Sequence, residues 1–205
     1  MRVLIACECS GMVRRAFRAL GHHAISCDIK PAEDGSDDHR QLDIRNAGLW
    51  ATPWDLMIAF PDCTYLASSG LHWNKRRPER SIKTAESLDF VRWLMGRPVK
   101  RIAIENPVGA IGTAIRTCDQ TIQPYHYGED ASKRTCLWLM NLARLRPTGF
   151  VEPRITADGK ERWANQTDSG QNRLAPSDHR AADRARTYPG IAAAMAAQWG
   201  ESPTA

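Results

Sequence analysis

Val3-Leu4-Ile5-Ala6-Cys7-Glu8-Cys9-Ser10-Gly11 decides how the rest of the chain is read. A short apolar run that stops at a polar turn is the pattern of a strand buried on both faces. Beyond Gly11, apolar residues return at Met12, Val13, Ala16, Phe17 and Leu20, which is helical spacing, and Gly21 ends that helix. Ala24-Ile25-Ser26-Cys27 is a second strand, closed by Asp28. Residues 3–28 therefore predict a β-α-β opening with an acid at the tip of its second strand.

The alternation continues outward. Residues 30–42 are polar and acidic and predict a loop. Asp55 to Phe60 is an apolar strand ending at Pro61, and residues 84–95 have a helical pattern. Arg101 to Ile104 is a strand that runs into Glu105-Asn106-Pro107, and Thr135 to Met140 is another. Residues 146–187 are rich in Pro, Gly, Asn, Asp and Arg, with little periodicity. An Ala-rich helix over 190–199 ends at Trp199. Strands alternating with helices predict an α/β sandwich around a mainly parallel sheet. Ligands of such sheets bind outside the carboxyl ends of the strands, where Glu8, Asp28, Cys63 and Glu105 fall.

With 205 residues and no internal repeat, the expectation is one domain spanning 1–205. The formal net charge of +5 favours a polyanionic partner, nucleic acid first. The six cysteines have no CxxC spacing, so free thiols and no metal site are expected; His22-His23 is assigned to a helix end. Met1-Arg2 leads straight into an apolar strand, and no apolar run approaches a membrane span. The expected compartment is a reducing cytoplasm, without membrane attachment.

Phe60-Pro61-Asp62-Cys63-Thr64 puts a thiol at the rim of the sheet, and Ile104-Glu105-Asn106-Pro107 puts a carboxylate at the next strand end. A lone cysteine there reads first as a half-buried thiol, and a lone glutamate as a surface acid or a cap. Together they form a candidate nucleophile and acid pair.

In this order, the motifs resemble those of the DNA cytosine-5 methyltransferases, in the small form found on phages and prophages. Pro61 and Cys63 resemble the family's nucleophile motif, Glu105-Asn106 its acid motif, and Ala67-Ser68-Ser69-Gly70 the serine-glycine stretch that follows the nucleophile. Tyr127-Gly128 followed by Ser132-Lys133-Arg134-Thr135 resembles its basic motif near the flipped base. The resemblance runs in order over roughly residues 3–140. It implies a Rossmann-like, S-adenosylmethionine-dependent sandwich acting on double-stranded DNA by base flipping, in a bacterial host cell if phage-encoded. Cys63 would add to cytosine C6, with Glu105, Asn106 and Lys133 as the other catalytic residues. The donor would lie against Cys7, Glu8, Ser10, Gly11 and Pro61, with Asp28 on its ribose and Asp43-Ile44 at its adenine. Ser69, His72, Lys75, Arg76, Arg77 and Arg134 would contact DNA. Residues 141–187 would form a reduced recognition insertion reading bases through Arg162, Asn165 and Gln166, with Trp163 among them.

The chain departs from the family in three respects. Asp62 and Thr64 flank Cys63, where the family has Pro-Cys-Gln; a neighbouring carboxylate should raise the thiol pKa, and Lys133 or Arg134 should offset it if close. Gly11 alone stands in for a glycine-rich donor loop, and the recognition region is short. Two other readings stay open: the same fold acting on RNA or a free cytosine nucleotide, and a weakly catalytic DNA-binding relative.

Overall fold

The computed structural model describes residues 1–51, 53–177 and 180–201. Strands β1 (Arg2–Ala6), β2 (His23–Asp28), β3 (His39–Gln41), β4 (Leu56–Ala59), β5 (Arg101–Pro107), β6 (Gln120–Ile122) and β7 (Thr135–Met140) form a seven-stranded sheet in the order β3-β2-β1-β4-β5-β7-β6. The first five are mutually parallel, and β7 runs antiparallel to both its neighbours. This is a Rossmann-like sandwich with a mainly parallel sheet, as the β-α-β reading predicts. The strand order reverses between β1 and β4, the kind of switch point at which such sheets open a crevice for ligands.

The pleat sends alternate residues to opposite faces. Val3, Ile5, Leu56 and Ile58 face helices α1 (Met12–Ala19) and α7 (Pro189–Trp199), packing on Val13, Phe17, Ile191, Met195 and Trp199. Leu4, Ala6, Met57, Ala59, Ile102 and Ile104 face the other way, onto Leu88, Val91 and Leu94 of helix α4 (Pro78–Met95). Among the described residues there are also the short α-helices α2 (Ala47–Trp50), α3 (Ser68–Leu71), α5 (Ala110–Ala114) and α6 (Arg180–Ala185), and 3-10 turns at His72–Lys75 and Pro124–His126.

Several sequence expectations need correction. Residues 39–41, expected as loop, form β3, and β6 was not foreseen. Both are three-residue strands at the two edges of the sheet, composed mostly of polar residues. Helix α4 starts at Pro78 rather than 84, because a proline fits the first helical turn and the residues after it are mostly exposed. Leu20, expected on the apolar stripe of α1, is 54% exposed, while Arg14 is 1% exposed. Arg14 is accommodated because Nη1 donates to Ser26 Oγ at 2.7 Å and Nη2 donates to Asp34 Oδ2 at 2.5 Å.

Within 141–187, of which residues 178 and 179 lie outside the described set, β8 (Arg154–Ile155) and β9 (Glu161–Arg162) pair as a small hairpin. Trp163 anchors this segment. It is 7% exposed, stacks on Tyr125 with ring centroids 4.0 Å apart, and donates its indole N–H to the Val151 carbonyl. It is therefore a packing residue and not a surface reader. Among the described residues, no helix is long and apolar enough to cross a membrane.

Candidate active site

The loop that leaves β4 is shaped by its own polar groups. Asp62 Oδ1 accepts the backbone N–H of Thr64 at 2.9 Å and its hydroxyl at 2.6 Å. The Cys63 carbonyl accepts the N–H groups of Leu66 and Ala67. Cys63 is left half-buried at the sheet rim beneath a closed turn. The end of β5 grips the same loop. Asn106 Nδ2 donates to the Pro61 carbonyl at 2.7 Å, Ser68 N–H donates to Val108 O, and Ala110 N–H donates to Leu66 O. Gly109 is required at this crossing, because a Cβ would overlap the carbonyl oxygen of Leu66. Asn106 is only 1% exposed; its Nδ2 positions the Pro61–Cys63 turn, and its Oδ1 is buried without a partner.

Glu105, Lys133 and Cys63 act on one another electrostatically. Burial pushes the Cys63 thiol above its ordinary pKa; Asp62 and Glu105 push it further, and Lys133 opposes them. Burial also raises Glu105, against Lys133 and a hydrogen bond from Thr135. The expected effects of Asp62 and of an offsetting Lys133 are therefore both present. Lys133 enters from the residues before β7, and its ammonium donates to the carbonyls of Arg186 (3.1 Å) and Ala185 (3.5 Å).

On the other side of the switch point, Cys7 takes a left-handed backbone conformation with φ 59°, a cost usually tolerated only where the surroundings enforce it. Its N–H donates to the Cys27 carbonyl at 2.7 Å, which bends the chain sharply off β1. Gly11, at φ 68°, begins α1. Glu8 is 6% exposed, and its Oε1 accepts the Val13 N–H at 2.8 Å and the Ser10 hydroxyl at 3.2 Å. Its Oε2 is buried without a partner, and burial lifts its pKa despite these bonds. Asp28 Oδ1 accepts the Lys30 N–H at 2.9 Å. Ile44 is buried, whereas the Asp43 carboxylate is held in place by Arg45, with Nη2 at 2.6 Å. An adenine amino group would have to displace that guanidinium.

Ser69, His72, Lys75, Arg76, Arg77 and Arg134 are all exposed. Trp73 stands 40% exposed among them, with the Arg76 and Arg77 guanidiniums 5.8 and 5.3 Å from its ring centroid. The three residues expected to read bases are engaged internally instead. Asn165 Oδ1 accepts the Ser132 N–H at 2.9 Å while its Nδ2 donates to the Ser132 carbonyl at 3.0 Å. Arg162 donates to the carbonyls of Asp168 and Glu161, and Gln166 Oε1 accepts the Trp163 N–H. Arg162 and Gln166 fold the segment, and Asn165 docks it on the residues that precede β7. A surface recess of about 870 Å³ lies in this segment between Thr167 and Arg180, and neither Cys63 nor Glu105 lines it. The candidate site is thus defined by its converging chemical groups. Arg80, in the first turn of α4, donates to the Thr64 and Gly70 carbonyls; as one of several cations in a basic stretch of sequence it carries no signal of that role.

No protein-family profile and no curated protein matches the chain. Among solved structures, it is similar to an E. coli protein described as a candidate DNA modification methyltransferase encoded within a prophage. The likeness has a TM-score of 0.51 at 14% sequence identity and covers 74% of this chain. The chain spans about half of that structure, 52% of its length. At that identity the likeness establishes a shared fold.

Proposed function

We propose that this chain is a DNA cytosine-5 methyltransferase with Cys63 as its nucleophile and S-adenosylmethionine as its methyl donor. The observation that carries the reading is the meeting of a thiol, a carboxyl group with raised pKa and an ammonium at neighbouring strand ends beside the switch point. The description of the fold neighbour points to the same substrate class.

The donor side is built on the turn after β1, where Glu8 ties Ser10 and Val13 together and keeps its second oxygen buried without a partner. Cys7, Glu8, Ser10, Gly11, Asp28 and Ile44 would hold the cofactor, with Pro61 alongside. When bound, it supplies an electrophilic methyl group. Cys63, as thiolate, adds to C6 of the target cytosine; the new S–C6 bond makes C5 nucleophilic toward that methyl group. Glu105, whose pKa burial raises, would hydrogen-bond N3 and stabilise the charge that the addition creates. Lys133 favours the thiolate by lowering the pKa of Cys63. A base then removes the C5 proton, the S–C6 bond breaks, and the thiolate returns. The target cytosine must leave the duplex stack, and the exposed cations of 72–77 would hold the phosphates around it.

The test is trapping on DNA that carries 5-fluorocytosine. Fluorine cannot depart from C5 as a proton does, so the adduct persists. A denaturant-resistant protein–DNA band that requires both S-adenosylmethionine and Cys63 is expected; its absence from an otherwise DNA-binding protein would overturn the covalent mechanism.

A further inference from the structure

The loop after Cys63 is clamped along its length by one face of α4. Arg80 Nη2 donates to the Thr64 carbonyl at 2.5 Å, and its Nε donates to the Gly70 carbonyl at 3.2 Å. The same guanidinium lies 4.8 Å from the Tyr65 ring centroid. One turn on, Thr84 Oγ1 donates to the Tyr65 carbonyl at 3.0 Å and accepts from Asn74 Nδ2 at 3.0 Å. Ser81 Oγ donates to the Asn74 carbonyl at 3.1 Å. Carbonyls at Thr64, Tyr65, Gly70 and Asn74 are thus satisfied by side chains of a single helix. Thr84 is only 8% exposed, so its two bonds are partly sheltered from water, whereas the bonds from Arg80 to Thr64 and from Ser81 to Asn74 lie at the surface. Gly70 belongs to the same device, because a Cβ there would overlap the Arg80 guanidinium.

We infer that Arg80, backed by Thr84, is a positioning residue that holds the Cys63 loop in its working shape. This rests on the proposed role of Cys63 as nucleophile. The charge at position 80 is used on the loop's own carbonyls, unlike the exposed charges of Lys75, Arg76 and Arg77. Arg80 has two donor positions engaged at once, so lysine, with a single ammonium, can replace only part of the clamp. Gly70→Ala attacks the clamp from its other side while leaving Arg80 itself unchanged.

The experiment compares the wild type with Arg80→Gln, Arg80→Lys and Gly70→Ala. It reads the alkylation rate of Cys63 by iodoacetamide, mapped by peptide mass spectrometry, together with kcat and KM for DNA methylation. Thermal melting establishes which variants fold. Freeing the loop should expose the half-buried thiol and speed alkylation about fivefold or more, as expected of local opening. It should cut kcat about tenfold or more with KM for DNA moved far less, the signature of a misplaced reacting group. Arg80→Lys should fall between the wild type and Arg80→Gln. If Arg80→Gln does not fold, Gly70→Ala carries the same expectations. Unchanged alkylation in folded variants would overturn the proposal. So would a loss confined to KM with the salt slope of binding reduced by about one, since that marks a phosphate-binding cation. A wild type that transfers no methyl group would end the proposed function, and the alkylation rates would still test the clamp.

Discussion

The side-chain amide of Asn106 donates to the backbone carbonyl of Pro61 at 2.7 Å, so the last turn of β5 holds the loop that carries Cys63. The proposed acid and nucleophile come from adjacent strands, and this buried bond fixes one strand end against the other.

Asn106→Ala leaves the Pro61 carbonyl without its buried partner. The expected loss is about 1–3 kcal/mol of stability, measured by urea unfolding, because an unsatisfied buried acceptor costs its full desolvation. Methyl transfer should fall further than the folded fraction does. Unchanged stability would mean that the Pro61 carbonyl finds another donor.

Gly109→Ala should destabilise by several kcal/mol or prevent folding, since the added methyl would meet the Leu66 carbonyl and break the Ala110-to-Leu66 bond beside it. Gly112→Ala is the control. Nothing lies within 4 Å of a Cβ there, and the residue is inside α5, so alanine should be neutral or stabilise by about 0.4–1 kcal/mol. Equal effects of the two, in thermal melting, would contradict the crossing geometry.

The pH dependence has a definite sign. Glu105 is raised above 4.5 in the folded protein, so between that value and its folded pKa the native state holds more protons than the unfolded chain. Its contribution to stability is complete below pH 4.5 and is lost as pH rises through the folded value. Glu105→Gln should therefore gain stability relative to the wild type at neutral and alkaline pH while losing turnover. Thermal melting across pH checks the first part, and single-turnover kinetics the second.

The Cys63 thiol should titrate above pH 9 in the free protein. Asp62→Asn removes a charge that raises it and should move the alkylation profile to lower pH. Lys133→Met removes a charge that lowers it and should move the profile upward. Shifts in the same direction would show that the two side chains do not bracket the thiol.

Charge reversal at Lys75, Arg76 and Arg77 together should weaken binding to all DNA sequences alike. It should also reduce the salt slope by about three, close to one for each phosphate that the native cations neutralise. Fluorescence anisotropy at several salt concentrations reads both quantities. A loss confined to one sequence would indicate base reading instead.

Much of this was legible in the sequence because buried parallel strands are continuous apolar runs. Val3 to Ala6, Leu56 to Ala59 and Ile102 to Ile104 announce the centre of the sheet, and the polar residues that follow them form the candidate site. The edges were not legible. His39–Gln41 and Gln120–Ile122 become strands by pairing with a formed neighbour, and tertiary pairing leaves no period in three residues. Within 141–187, composition does not show that side chains able to read bases also fold the segment: Asn165 docks on Ser132, Trp163 stacks on Tyr125, and Arg162 bonds to carbonyls of the segment itself. The buried Arg14 lies on an apolar stripe, and only the partners Ser26 and Asp34, brought to it by the fold, account for it.

The most direct test of the central claim is methylcytosine sequencing of unmethylated plasmid DNA incubated with the purified protein and S-adenosylmethionine, with Cys63→Ala beside it. The account predicts 5-methylcytosine with the intact protein and none with the variant. Equal methylation by both, or none by an intact protein that binds S-adenosylmethionine, would contradict it.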